Sequence, residues 1–169
     1  MRQLKILLVL LISVILSACT RPNNSFVVNQ TITSFALDGL RIGMMPDQVR
    51  DVLGVPVEEK TGFWRYDART VIFSPHGDLA RFHGTVLVFK GSRFETGAPL
   101  KSLCVELGTP TPNTTGKEIH VTEFILQGGT LSVYGCDGRI QAFVLSSEEP
   151  ESAGAPFAQR ALASAAGRE

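Results

Sequence analysis

The residues of this chain that could carry out chemistry are few, and their spacing forms no catalytic motif. The three histidines, His76, His83 and His120, lack the close spacing of metal ligands, so no metal site is expected. No GxSxG nucleophile elbow occurs, and no P-loop lysine follows the isolated glycines. The adjacent acids Glu58 and Glu59 follow a helix-stop signal and are better explained as a solvated loop than as a catalytic pair. We therefore expect no enzymatic activity, no cofactor and no small-molecule substrate.

The N-terminus has the pattern of a processing signal that ends in a lipid-attachment cysteine. Arg2 and Lys5 precede an apolar run over residues 6–16, and small residues follow it. As a helix this run would span about 16 Å, too short for a hydrocarbon core of about 30 Å. The residues that resemble a bacterial lipobox are Leu16, Ser17, Ala18 and Cys19. We expect residues 1–18 to be a lipoprotein signal peptide and Cys19 to carry the lipid; the alternative is an ordinary secretory signal with a coincidental cysteine.

Composition and charge limit the partners of the mature chain. The 169 residues carry 16 basic and 16 acidic side chains, so no net positive field attracts nucleic acid. Hydrophobic residues make up 44% of the chain, which is too many for a disordered protein. Thr20, rather than Asp, follows Cys19 and favours the outer membrane over the inner membrane. We expect lipid anchoring on the periplasmic face of the outer membrane.

The other two cysteines, Cys104 and Cys136, would then lie in an oxidising compartment. We predict that they form a disulfide that closes a loop of about 32 residues and contributes roughly 3.5 kcal/mol. The alternative is a buried free Cys104 and an unrelated Cys136.

The sequence contains the same short-helix pattern twice. Pro46 suits the first position of a short helix that ends at Gly54, with Val49, Val52 and Leu53 on one face. Adding 54 to the numbers of Gly43, Val49, Leu53, Gly54 and Pro56 gives a second helix of the same pattern. Its matched positions are Gly97, Leu103, Leu107, Gly108 and Pro110. The pattern predicts two helices of about two turns, neither of which is stable alone.

Strand-like segments follow each helix. The first set comprises residues 63–67, 70–73 and 79–82, and the second comprises residues 121–126, 130–134 and 139–145. Their hairpin turns at Gly77 and Gly138 are offset by 61 rather than 54, so the second copy has an insertion, assigned to residues 109–116. An extra strand over residues 85–89 would complete the first sheet or join the two.

These patterns predict an α+β fold in which short helices pack on an antiparallel β-meander, arranged as two tandem units. The expected organisation is a flexible tether over residues 19–34, a first unit over 35–95, a second unit over 96–147, and a disordered tail over 148–169. The alternative to a repeat is chance periodicity. Within the tail, residues 156–166 could instead form a short helix on a partner.

One strand combines the residue types that dominate protein interfaces. Trp64 and Tyr66 alternate with Arg65, so the aromatic rings share one strand face and the charge lies on the other. The ordinary interpretation places the rings under the first helix. The functional one makes Trp64, Arg65, Tyr66 and Arg69 a possible partner face.

Residues 40–56, together with the Trp64-Arg65-Tyr66 strand and the lipobox, resemble the signature of the SmpA/OmlA (BamE-like) outer-membrane lipoproteins. The shared pattern is an apolar residue and Gly-Met, a Gln-Val helix, Leu-Gly-x-Pro and a W-x-Y strand. A tandem pair of such units is similar to the architecture of the β-lactamase inhibitor proteins. The resemblance implies a non-enzymatic protein that binds another envelope protein in outer-membrane assembly or envelope integrity; the alternative is an inhibitor of an envelope hydrolase.

Overall fold

The computed structural model describes residues 24–67, 69–114 and 118–147. They form eleven strands and two short helices, which confirms the predicted α+β class with β-structure dominant. The strands are β1 Asn24–Thr31, β2 Phe35–Leu37, β3 Glu58–Lys60, β4 Phe63–Arg65, β5 Thr70–Phe73, β6 Leu79–Gly84, β7 Val86–Phe89, β8 Ser92–Glu95, β9 His120–Gln127, β10 Gly129–Cys136 and β11 Arg139–Ser147. The helices are α1 Pro46–Leu53 and α2 Leu100–Leu107, and a 3-10 turn covers Ile32–Ser34.

Both helices start and stop where the sequence predicts. Pro46 occupies the first position of α1, and its apolar stripe buries Val49 completely. Met45 offers no side-chain oxygen to cap this helix; instead its backbone N–H donates to Gln48 Oε1 at 2.9 Å. Gly54 ends α1 at φ +79°, and Gly108 ends α2 in the left-handed region at φ +68°.

Eight strands form one sheet in the order β1-β9-β10-β11-β6-β5-β4-β3, and β2-β7-β8 form a second, smaller sheet. In the large sheet β1 runs parallel to β9, and the other neighbours are antiparallel. Burial alternates along β9 and β10, so one face of the sheet packs into the core and the other is half-buried or exposed. Buried residues of both helices and both sheets belong to one hydrophobic cluster.

Two predicted segments differ in the structure. The strand expected over residues 85–89 is β7, which pairs with β2 and β8 in the smaller sheet. It therefore neither completes the sheet of the first meander nor joins the two meanders. The predicted flexible tether of residues 19–34 is wrong from residue 24 onward, because β1 pairs with β9 over Asn24↔Thr122 to Val27↔Ile125. Val28 and Ile32 are then only 6% and 3% exposed. Burial of these apolar side chains offsets the cost of ordering a segment that looks polar in sequence.

The two meanders meet in the centre of the large sheet through β6 and β11. The register pairs Phe82 with Leu145, His83 with Val144 and Gly84 with Phe143. Adding 61 to the number of a β6 residue gives its counterpart in β11. The counterpart of Phe82 is the partner of Gly84, and the counterpart of Gly84 is the partner of Phe82. The counterpart of His83 is its own partner, Val144. The contact is therefore isologous, as in a two-fold interface.

A matching pair of backbone hydrogen bonds joins the segment before each helix to the strand that follows the hairpin turn of the same meander. The N–H of Gly43 donates to Leu79 O at 2.9 Å, and the N–H of Gly97 donates to Ile140 O at 2.7 Å. In the reverse direction, the N–H of Leu79 donates to Met44 O at 2.7 Å, and the N–H of Ile140 donates to Ala98 O at 2.9 Å. The glycines are offset by 54 and the acceptors by 61, the same two spacings that the sequence shows for the helices and the hairpin turns.

The predicted signal peptide over residues 1–18, the predicted lipobox with Cys19, and the predicted tail over residues 148–169 lie outside the described residues. Across the ranges that are described, no helix has the length and apolar character needed to cross a membrane.

Candidate protein-binding surface

Trp64 and Tyr66 are core residues that pack under α1. Trp64 is 5% exposed, and its ring meets Phe73 edge-on with 4.8 Å between centroids. The guanidinium of Arg50 lies 4.8 Å above the Trp64 ring. Tyr66 is 8% exposed and donates from its hydroxyl to Gly54 O at 3.3 Å. The ordinary interpretation, in which the rings pack under the first helix, is therefore confirmed, and the alternative of an exposed aromatic edge is wrong.

Arg65 and Arg69, the two arginines of the predicted face, contact different parts of the protein. Arg65 lies on the opposite face of β4, where its Nε contacts Glu58 Oε2 at 3.0 Å. Arg69 pairs with the half-buried Asp38 across 3.1 Å. The four predicted residues thus form no single surface, because strand alternation separates Arg65 from the rings.

The acids at positions 58 and 59 belong to edge strand β3 rather than to a loop. Hydrogen bonds from Lys60 and Arg65 hold the pKa of Glu58 below its ordinary value. Glu59 accepts from Arg50 at 2.8 Å and so ties α1 to the sheet edge. Burial raises the pKa of Tyr66, with Arg50 opposing and Glu59 adding to that shift.

A patch of exposed valines surrounds the end of α1. Val52, Val55 and Val57 are 44%, 81% and 59% exposed, and we call them the valine patch. They line a groove of about 390 Å³ whose other walls are Leu53, Tyr66, Asp67 and Arg69. An apolar group rimmed by charges at a protein surface is typical of a protein interaction site. The sequence carried one signal for it, namely two valines in a loop where polar residues are the norm.

A larger cavity of about 750 Å³ lies at the other end of α1. Its walls are Pro46, Glu59, Lys60, Thr61, Gly62, Trp64, Phe73, Ser74, Pro75 and Gly77. Its only charged side chains are one acid and one base at the sheet edge, and Glu59 is already paired with Arg50. The cavity therefore presents no set of convergent charged groups to a ligand.

The polar residues nearest this cavity build a turn rather than a nucleophile and base. Ser74 Oγ contacts the carboxylate of Asp78 and accepts from the backbone N–H of His76 at 3.1 Å. The serine proton thus faces a carboxylate and not an imidazole. His76 is exposed, as predicted, whereas His120 is buried with no hydrogen-bond partner for Nε2 among the described residues. Nor does any group of three His, Cys, Asp or Glu there have metal-binding geometry.

The predicted Cys104–Cys136 disulfide is absent from the structure, which holds both thiols free and beyond bonding distance. Cys104 is fully buried on the core side of α2. Gly135 faces this helix, since a Cβ there would lie 3.9 Å from Leu100. Strand alternation then turns the next residue, Cys136, to the other face of the sheet.

No protein-family model matches this chain, and neither a curated protein nor a solved structure matches it. Its function must therefore be inferred from its own residues.

Proposed function

We propose that this protein is a lipid-anchored lipoprotein of the bacterial outer membrane whose folded domain binds another envelope protein through the valine patch. The resemblance to the SmpA/OmlA family supports an accessory or scaffold role in outer-membrane protein assembly or envelope integrity. The main evidence for the binding role is the exposure of the three valines.

The valine patch has the composition of an interface centre with a polar rim. Complete burial of a valine side chain contributes about 1.5 kcal/mol or more, so three partly exposed valines supply a useful part of a binding energy. Tyr66 and Arg69 border the groove, and both residue types are enriched among interface hot spots. Arg69 is already held by Asp38, so it loses little side-chain entropy on binding.

Lipid attachment at Cys19 supports the same role by a different physical route. A tethered domain samples only the layer next to the membrane, which raises its effective concentration for a partner in that layer. A patch of modest affinity is then sufficient for function.

Photocrosslinking from within the patch tests the binding role. A photoreactive amino acid replaces Val55 in one variant and Val105 in a control variant. Val105 is 69% exposed on α2, so it matches Val55 in residue type and exposure. We expect a discrete crosslinked envelope protein from position 55 and none from position 105, with the product lost when Val57 is changed to Glu. Identical crosslinking from both positions would refute the valine patch as the binding site.

Membrane fractionation tests the anchor separately. We expect Cys19→Ser to move the protein from the membrane to the soluble periplasmic fraction. Retention of this variant in the membrane contradicts lipid attachment at Cys19.

We further propose that residues 35–95 and 96–147 are tandem copies of one helix-plus-meander unit. The matched glycine hydrogen bonds and the isologous β6–β11 register support this division. A tandem pair also favours a second candidate function, inhibition of an envelope hydrolase, by its similarity to the β-lactamase inhibitor proteins. Mass spectrometry of the position-55 crosslink separates the two: barrel-assembly components support the scaffold role, and a stoichiometric hydrolase supports inhibition.

A further inference from the structure

We propose that the large sheet rests on the phospholipid surface at its β1 edge, through Val27 and Ile125 on the outer face beside that edge and through the neighbouring Ile119. We call these three residues the anchor-side patch. This inference depends on the proposed lipid attachment at Cys19 and adds an orientation and a second interaction surface to it.

The length of chain between the lipid and the fold limits the position of the domain. Strand β1 begins at Asn24, so only residues 20–23 separate the lipidated cysteine from the sheet. Five Cα steps reach at most about 18 Å in any conformation. The first residue of β1 is therefore always within about 18 Å of the attachment point.

The dimensions of the sheet exclude two orientations, in which the β3 edge or the end of the sheet at Thr31 faces the bilayer. β1 and β3 are the two outer strands, separated by seven strand spacings or about 34 Å along the sheet. With the β3 edge against the bilayer, Asn24 would be farther from the membrane than its tether reaches. The same holds for the end of the sheet at Thr31, because the eight residues of β1 extend about 23 Å. The orientations that remain place the β1 edge, the end of the sheet at Asn24, or the outer face beside β1 against the bilayer.

The surface that this restriction turns toward the bilayer is apolar. Val27 is 83% exposed and pairs in register with Ile125, which is 39% exposed. Ile119, 66% exposed, immediately precedes β9 and lies three residues before Thr122, the partner of Asn24. Exposed apolar residues at the edge nearest a lipid anchor fit the boundary between headgroups and acyl chains.

Two acidic residues border this contact. Strand β1 contains no charged residue, but Glu123 in β9 lies on the same face as Ile125, and the exposed Glu118 precedes Ile119. The Oε2 of Glu123 accepts a hydrogen bond from Ser25. Because salt screens repulsion between these acids and anionic headgroups, we expect the contact not to weaken as ionic strength rises to the physiological range. The valine patch adjoins β3, so this orientation directs it away from the membrane, toward the periplasm.

Site-specific fluorescence on the native lipoprotein tests the orientation. In a Cys136→Ser background, an environment-sensitive dye is attached at Val27→Cys, at Ile119→Cys or at the control Thr61→Cys, an exposed position in the β3–β4 turn. The proteins are reconstituted in phosphatidylethanolamine–phosphatidylglycerol vesicles that contain a headgroup spin-labelled lipid. We expect quenching at positions 27 and 119 to exceed that at position 61 by about threefold or more. Inserting twelve Gly/Ser residues between positions 23 and 24 adds about 40 Å of reach and should reduce this difference.

Vesicle flotation separates the two proposals. If the protein floats with the vesicles and position 61 is quenched as much as positions 27 and 119, the orientation is wrong and the anchor stands. If the protein does not float, both the anchor and the orientation fail. A difference between positions that the longer tether leaves unchanged contradicts the tether as its cause.

Discussion

At the residue scale, Asp38 connects parts of the chain that are distant in sequence. Its carboxylate accepts from the backbone N–H groups of Thr85 and Val86 at 3.0 and 2.9 Å. It also accepts from the Thr85 hydroxyl at 3.3 Å and pairs with Arg69. Its backbone adopts φ +51°, a conformation that Asp tolerates better than most residues. One side chain thus holds the β2 end, the β6–β7 turn and the β4–β5 turn together.

We expect Asp38→Ala to lower the free energy of unfolding by about 3 kcal/mol, because it leaves two backbone donors and Arg69 without their acceptor. Asp38→Asn keeps an oxygen acceptor and a residue suited to positive φ, so its loss should be smaller. Urea denaturation measures both, with the exposed Asp51→Ala as a control expected within about 0.5 kcal/mol of wild type. Equal losses for Asp38→Ala and Asp51→Ala would show that the carboxylate contributes nothing.

The two thiols should differ strongly in reactivity. With Cys19 replaced by Ser, we expect Cys136 to react with a thiol reagent about 100-fold or more faster than Cys104, which is accessible only after the chain opens. Burial also raises the pKa of Cys104, with a hydrogen bond to Thr109 partly opposing that shift. Timed labelling followed by peptide mass spectrometry measures both rates. Similar rates would contradict the buried position of Cys104.

Alkaline denaturation tests whether the pKa of the Cys104 thiol is raised in the folded protein. The folded state retains the Cys104 proton where the unfolded state loses it, so unfolding becomes easier as pH rises above the ordinary thiol pKa. We expect Cys104→Ala to show a smaller loss of stability between pH 7 and 10 than wild type. The raised pKa of Tyr66 acts in the same direction but only as pH approaches and exceeds 10.0, so it contributes little in this range. An unchanged slope contradicts a contribution from Cys104.

At the element scale, strand β6 must pass close to the smaller sheet. A Cβ at Gly84 would lie 2.4 Å from Asp38 Oδ2 and 2.8 Å from Leu37 Cγ, so this strand position has no room for a side chain. Gly135 in β10 is a matched strand glycine whose Cβ would meet its nearest neighbours at 3.4 and 3.9 Å, ordinary contact distances.

We expect Gly84→Ala to destabilise the protein by about 1–3 kcal/mol, because the new methyl group displaces Asp38 from its hydrogen bonds. Gly135→Ala should remain within about 1 kcal/mol of wild type, since it fits its space and restricts the unfolded chain. Thermal and urea unfolding of the two variants make the comparison. A larger loss for Gly135→Ala would contradict the close packing of β6 on β2.

The sequence predicted the elements with local signals and missed those that depend on distant partners. Both helices carry their own start and stop residues, and the hairpins carry their own turns, so their positions are correct. β1 has no such signal, and its partner β9 is about 100 residues away in the chain. β3 was assigned to a loop because its charged residues protect a sheet edge rather than fill a core.

At the scale of the whole molecule, the two proposed units share one core and one central strand pair. Phe82 in β6 and Phe143 in β11 are 2% and 0% exposed, and both belong to the single hydrophobic cluster. Separation of the units would expose this pair and the β6–β11 edge. Neither unit should therefore be stable when the other is unfolded.

We expect one cooperative unfolding transition for both units. Trp64, the single tryptophan, reports on the first unit by fluorescence, and protection of the Cys104 thiol reports on the second. Their urea midpoints should coincide, and Phe82→Ala should shift both by the same amount. Two separate midpoints would show that the units unfold independently.

The sequence by itself determined the local elements: two short capped helices, the hairpins, the α+β class and the matched spacing of glycines. These features depend on neighbouring residues, whose backbone preferences and side-chain periodicity are readable along the chain. Only the tertiary structure decided that residues 24–31 pair as β1, that Trp64 and Tyr66 are buried, and that the valine patch is exposed. It also decided that Cys104 and Cys136 lie apart. Each of these outcomes depends on which surfaces meet when distant strands pair, because burial is a property of the assembled sheet and not of any one segment.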